Sequence, residues 1–143
     1  EPYRRQRQMC IRDRCDIARQ TEEGLAFCSL MLADEQVISC DLLRAEAVSV
    51  FRKLCRRGVM NREEAQECFV DSVAYVDKYY SIQELQDEVL SESIRLDHSS
   101  YDMFYFVLAR RFGATLFTLD RKLIWLCEEQ GVQCVAILEN GEF

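Results

Sequence analysis

The chain has 143 residues, 49% of them apolar, and a formal net charge of −7. That length suits one domain with a core of its own, and no apolar run approaches the ~20 residues a membrane helix needs. The acidic balance argues against loose electrostatic binding of nucleic acid by the whole surface. It leaves open an acidic pocket that meets nucleic acid through metal ions. The N-terminus carries no signal-peptide pattern, so a cytoplasmic protein with no membrane partner is expected. Eight cysteines occur, none at CxxC spacing, and His98 is the only histidine. These exclude the usual zinc signatures, and the cysteines read as buried reduced thiols.

Residues 1–14 differ from the rest: Arg4, Arg5, Arg7, Arg12 and Arg14 face only Glu1 and Asp13, with no helical or strand period. Residues 1–20 therefore read as a basic lead outside the fold, disordered or not native to the domain, and 21–143 as the domain itself. A helix is expected over 21–33, with Thr21 as cap and Leu25, Cys28 and Leu32 inward. Residues 36–40 read as a strand. Asp41 then caps a helix over 42–56 with the apolar stripe Leu43, Ala47, Val50 and Leu54. Glu46 falls inside that stripe, where a carboxylate must reach water, a partner or a cation.

Gly58 stops that helix. Asn61 caps the next, with Glu64 three residues on, to about residue 75, so the two make a helical hairpin. A short strand within 76–81 and a helix over 82–94 follow. Ser99 and Asp102 have capping-box spacing. Tyr101, Phe104, Tyr105 and Leu108 then form one buried stripe up to the C-cap Gly113. Residues 114–119 read as a buried strand, followed by Asp120, a helix carrying Leu123, Ile124 and Cys127, the stop Gly131, and a strand over 132–138. Strands alternating with helices predict a parallel sheet in a three-layer α/β/α fold.

Three carboxylates stand out: Glu46, Asp102 and Asp120. Each has a plain structural use, at a core edge, in a first helical turn and as a helix cap respectively. Were they gathered in one pocket, each like-charge pair would cost roughly 3 kcal/mol at ~5 Å and an effective dielectric of ~20. A hard divalent cation offsets such repulsion. No GxSxG, GxGxxG or GxxxxGK[ST] motif occurs, so serine hydrolase, dinucleotide and P-loop readings lack their signatures. His98 reads as loop chemistry, and Tyr101 and Trp125 as core.

Residues 21–138 resemble a PIN domain, and within that family the VapC-like toxins of toxin–antitoxin pairs. The resemblance is carried by Ser100-Tyr101-Asp102, Tyr105, Leu108-Ala109, Gly113-Ala114, Leu116, Thr118, Asp120 and Leu123, together with Asp41-Leu42-Leu43 and Glu46. It implies a PIN-like fold with a central, mostly parallel sheet and a protruding helical hairpin. It also implies a Mg²⁺- or Mn²⁺-dependent endoribonuclease that hydrolyses RNA phosphodiesters with a metal-activated water. Glu46, Asp102 and Asp120 correspond to metal ligands, and Thr118 to a residue that helps hold the site. An RNA substrate, a cognate antitoxin protein and a homodimer are the partners it implies. The family opens with an apolar strand ending in an Asp. Here that place holds the arginine-rich stretch, and neither Asp13 nor Asp16 follows an apolar strand, so the first strand and a fourth acid stay unassigned and activity is expected to be impaired. The alternative is a non-catalytic PIN-like module that binds a partner protein.

Overall fold

A computed structural model describes residues 6–9, 36–118 and 120–136. Five strands and five helices run in the order β1 (Gln6–Met9), β2 (Gln36–Cys40), α1 (Leu42–Arg56), α2 (Arg62–Ala74), β3 (Lys78–Tyr80), α3 (Ile82–Leu96), α4 (Ser100–Phe112), β4 (Thr115–Thr118), α5 (Arg121–Gln130) and β5 (Cys134–Ala136). The strands form one parallel sheet in the order β3-β2-β1-β4-β5. The helix expected over 21–33, together with Asp13, Asp16, Cys10, Cys15 and Cys28, lies outside the described residues.

Part of the basic lead belongs to the sheet. Residues 6–9 are the central strand, with Gln8 opposite both Ile38 and Leu116. A domain boundary at residue 20 therefore cuts away part of the sheet. A parallel ladder is held by backbone N–H and C=O groups, so four residues can pair without any apolar alternation to announce it.

Both faces of β2 are buried, as a parallel sheet requires: Ile38 and Cys40 on one, Val37 and Ser39 on the other. Helix α4 packs across β1, β2 and β4. Its buried face is wider than the four-residue stripe: Met103 and Tyr105 through Ala109 are all enclosed, with Leu85 and Val89 of α3 and Leu123 and Leu126 of α5. Tyr101 is 62% exposed and Trp125 61% exposed, so neither is core. A stripe read at i, i+3, i+4 and i+7 assumes contact from one side, whereas α4 meets the sheet, α3 and α5 at once. A smaller core holds the hairpin together, Ala47, Phe51 and Leu54 of α1 against Ala65 of α2.

Capping follows the sequence in part. Asn61 and Glu64 form the expected capping box, and a second, unanticipated one joins Ser81 and Glu84. The Ser99–Asp102 box does not form, and the Asp41 side chain caps nothing. Asp41 pairs with Arg44 at 3.6 Å instead. Gly113 ends α4 at φ +62°, a left-handed conformation that a side chain would strain. The seam between α3 and α4 carries charge at its rim. Arg110 donates to Glu88 at 2.6 Å and Glu92 at 3.2 Å, and Arg111 donates to Glu88 at 2.7 Å. Burial alone would push the Glu88 carboxyl up, but these two guanidinium groups outweigh it and hold it below its usual range. Among the described residues no helix is long and apolar enough to cross a membrane.

Candidate active site

Strand order places the site. The chain steps outward from β1 to β2 and β3, then returns to β4 on the other side of β1. The carboxyl ends of β1 and β4 therefore flank a topological switch point, where open parallel sheets form their crevices. Thr118 and Asp120 lie at the end of β4. Helix α4 leads into the start of β4, so its first turn, with Asp102, lies toward the same carboxyl edge. Helix α1 leaves the carboxyl end of β2 and brings Glu46 there in its second turn.

Of the predicted acids, Glu46 and Asp102 are brought together. Burial raises the Glu46 carboxyl above its usual range, a hydrogen bond from Tyr105 lowers it, and the charge of Asp102 raises it again. The Tyr105 hydroxyl donates to Glu46 Oε1 across 59 residues of sequence. His98 Nε2 lies 3.1 Å from Asp102 Oδ2. The carboxylate accepts there, so the ring nitrogen facing it carries the proton. This pairing arises from a tight turn: Asp97 takes the left-handed conformation at φ +50°, and the His98 amide bonds back to the Ser93 carbonyl at 3.2 Å. His98 thus does more than fill a loop, and its i, i+4 spacing to Asp102 was the signal available for it.

Asp120 is engaged locally. Its Oδ1 accepts from the amides of Lys122 at 2.9 Å and Leu123 at 3.2 Å, making it the N-cap of α5. Its own amide donates to Thr118 Oγ1 at 3.0 Å, so the fully buried Thr118 fixes this turn. Among the described residues, no three acidic, histidine or cysteine side chains are gathered closely enough to hold a metal ion together. The triad of Glu46, Asp102 and Asp120 is therefore present as a pair plus a cap. Capping is the plain use the sequence assigns to Asp120, whereas spacing along the chain does not show which acids converge.

Among the described residues, the buried thiols Cys40 and Cys127 are poor nucleophiles. Burial pushes Cys40 up to about 11, with a bond from the Leu42 amide opposing and the charges of Asp41, Glu46 and Glu84 adding, so it stays protonated at neutral pH. Cys127 is raised by its hydrogen bond with Cys134 and by burial. Among the described residues, Cys40 and Cys127 are buried thiols, and Cys55, Cys68 and Cys134 are half-buried thiols.

Two results are expected here. Glu46→Gln keeps an oxygen for the Tyr105 hydroxyl but removes the charge. The folded-state pKa of Glu46 lies above its unfolded value of 4.5. Its contribution to stability is therefore complete below that value and is lost as pH rises through the raised one. In metal-free buffer at pH 8 the variant should melt about 2–4 °C higher than wild type, and the gap should close as pH falls below the unfolded value. A gap that widens on acidification would contradict the burial of Glu46. Asp120→Ala should cost about 1 kcal/mol in urea unfolding through the lost cap, while Asp120→Asn, which still caps, should cost a few tenths. Equal losses in the two variants would show that charge, not capping, fixes this turn.

No family model matches the chain, and no curated protein matches it. Among solved structures the chain is similar to the crystal structure of PAE2754 from Pyrobaculum aerophilum, with a TM-score of 0.66 at 18% sequence identity. The match covers 95% of this chain and 92% of that one. A likeness at this identity establishes a shared fold alone.

Proposed function

We propose that the chain is a PIN-like, metal-dependent endoribonuclease of the VapC type, with a three-layer α/β/α fold. The observation that carries the reading is the Glu46–Asp102 pair beside a switch point of the parallel sheet, each carboxylate held by a hydrogen-bond partner from or next to α4. The donor set fits a hard divalent cation: it is all oxygen, half-buried, and bears like charges that a cation would relieve. Mg²⁺ in particular takes one or two carboxylates and retains its waters.

In this reading Glu46 and Asp102 hold the ion. Asp120, which caps α5 through one oxygen, keeps its second for the same edge, and Thr118 holds the turn. A bound Mg²⁺ or Mn²⁺ supplies an activated water and charge stabilisation at an RNA phosphate. His98 holds the Asp102 carboxylate, and the buried floor formed by Met103, Phe106 and Leu116 keeps the frame rigid. Incubation of a structured RNA mixture with purified protein and Mn²⁺, beside an EDTA control, tests the reading. Cleavage in the first sample alone supports it, and equal cleavage or none in both counts against it.

A second reading, a module that binds protein without catalysis, is favoured by the outer face of the hairpin. Phe51, Ala65 and Phe69 line an apolar groove whose edges, Val48 and Val70, are 56% and 62% exposed. A second copy of the chain or an antitoxin-like protein suits that surface, and the two readings are compatible on one molecule. A cytoplasmic location belongs to the same proposal.

A further inference from the structure

Tyr105 is 2% exposed, yet its hydroxyl reaches a carboxylate on another helix. Its ring is immobilised by the core of α4, where Met103, Phe106 and Leu108 are fully enclosed. Asp102 and Tyr105 stand three residues apart on that helix, so the carboxylate and the phenol rise from one face. Glu46, in contrast, is a flexible side chain on a half-buried face of α1, and a carboxylate with several rotors loses entropy when fixed.

We infer that Tyr105 is a positioning residue for Glu46, holding its carboxylate beside Asp102 before any cation arrives. The inference rests on the metal-site reading above and adds a second layer to it. A hydrogen bond from a phenol to a carboxylate is charge-assisted. It keeps one oxygen occupied and leaves the other oxygen to bind. The same bond is also what a buried phenol needs for itself, so only coupling between the two residues separates the roles.

The test is a Mn²⁺ titration, followed by the electron paramagnetic resonance signal of the free ion. It compares wild type, Tyr105→Phe, Glu46→Gln and the double variant, each also melted without metal. Tyr105→Phe should weaken Mn²⁺ binding by about 10-fold or more. In the Glu46→Gln background the same change should alter affinity by less than about twofold. Equal affinity of wild type and Tyr105→Phe overturns the inference and leaves the metal site standing. Equal losses in both backgrounds, or a Tyr105→Phe chain without a cooperative melt, also overturn it, since the phenol is then structural. Wild-type protein that takes up no Mn²⁺ overturns the metal-site reading and this inference with it.

Discussion

Asp102→Asn should lower Mn²⁺-dependent RNA cleavage by at least about 100-fold, equivalent to ~3 kcal/mol of barrier, while the protein stays folded. Asparagine has nearly the shape of aspartate, and its carbonyl can still accept from His98 Nε2, which lies 3.1 Å from the carboxylate in wild type. What disappears is the charge. Two effects on stability then oppose each other. A carboxylate in the first turn of a helix gains about 0.3–1 kcal/mol from the helix dipole, and that gain is lost. The repulsion that helps raise Glu46 is also lost, which lets Glu46 ionise more readily. The melting temperature should therefore move by no more than about 3 °C in either direction. Single-turnover cleavage, run beside thermal melting, separates the outcomes. A variant that cuts RNA at the wild-type rate would remove Asp102 from the site, and one that unfolds would make it a structural acid.

The largest loss of stability is expected from Phe106→Ala, at about 3–5 kcal/mol. Phe106 is fully enclosed among Ile38, Leu85, Met103 and Leu116 and their neighbours, and the Arg110 guanidinium sits 5.3 Å from its ring centre. Removing the ring opens a cavity that the sheet and α3 cannot both close, and it strips the apolar surface beneath the Arg110–Glu88–Glu92 ion pairs. Against a total stability of about 5–15 kcal/mol this is a large fraction. Tyr101→Ala, on the same helix five residues earlier, should cost less than about 0.5 kcal/mol because its ring is 62% exposed. Urea unfolding of the two variants side by side measures the contrast. Comparable losses would mean that Tyr101 is covered in solution, as its position in the apolar stripe first suggested.

Between residues 36 and 136 most elements were legible because their signals are local. Helix periods, the Asn61–Glu64 box and the glycine stops at Gly58, Gly113 and Gly131 act within four or five residues. The chain's own start was not legible. A polar segment of four residues becomes the middle of the sheet only because β2 and β4 arrive on either side of it.

By itself, then, the sequence determined an alternation of strands and helices and the acids worth watching, all from spacing along one segment at a time. Tertiary structure decided which acids meet. Glu46 and Tyr105 are 59 residues apart and become partners only when α1 and α4 pack at one edge. Asp120 spends an oxygen on the amides of α5 because its backbone is extended at φ −77° and ψ 114°, a conformation that no spacing rule distinguishes from a ligand's. Local propensity reaches a few residues, while burial and like-charge repulsion depend on distances that exist only after the chain has folded.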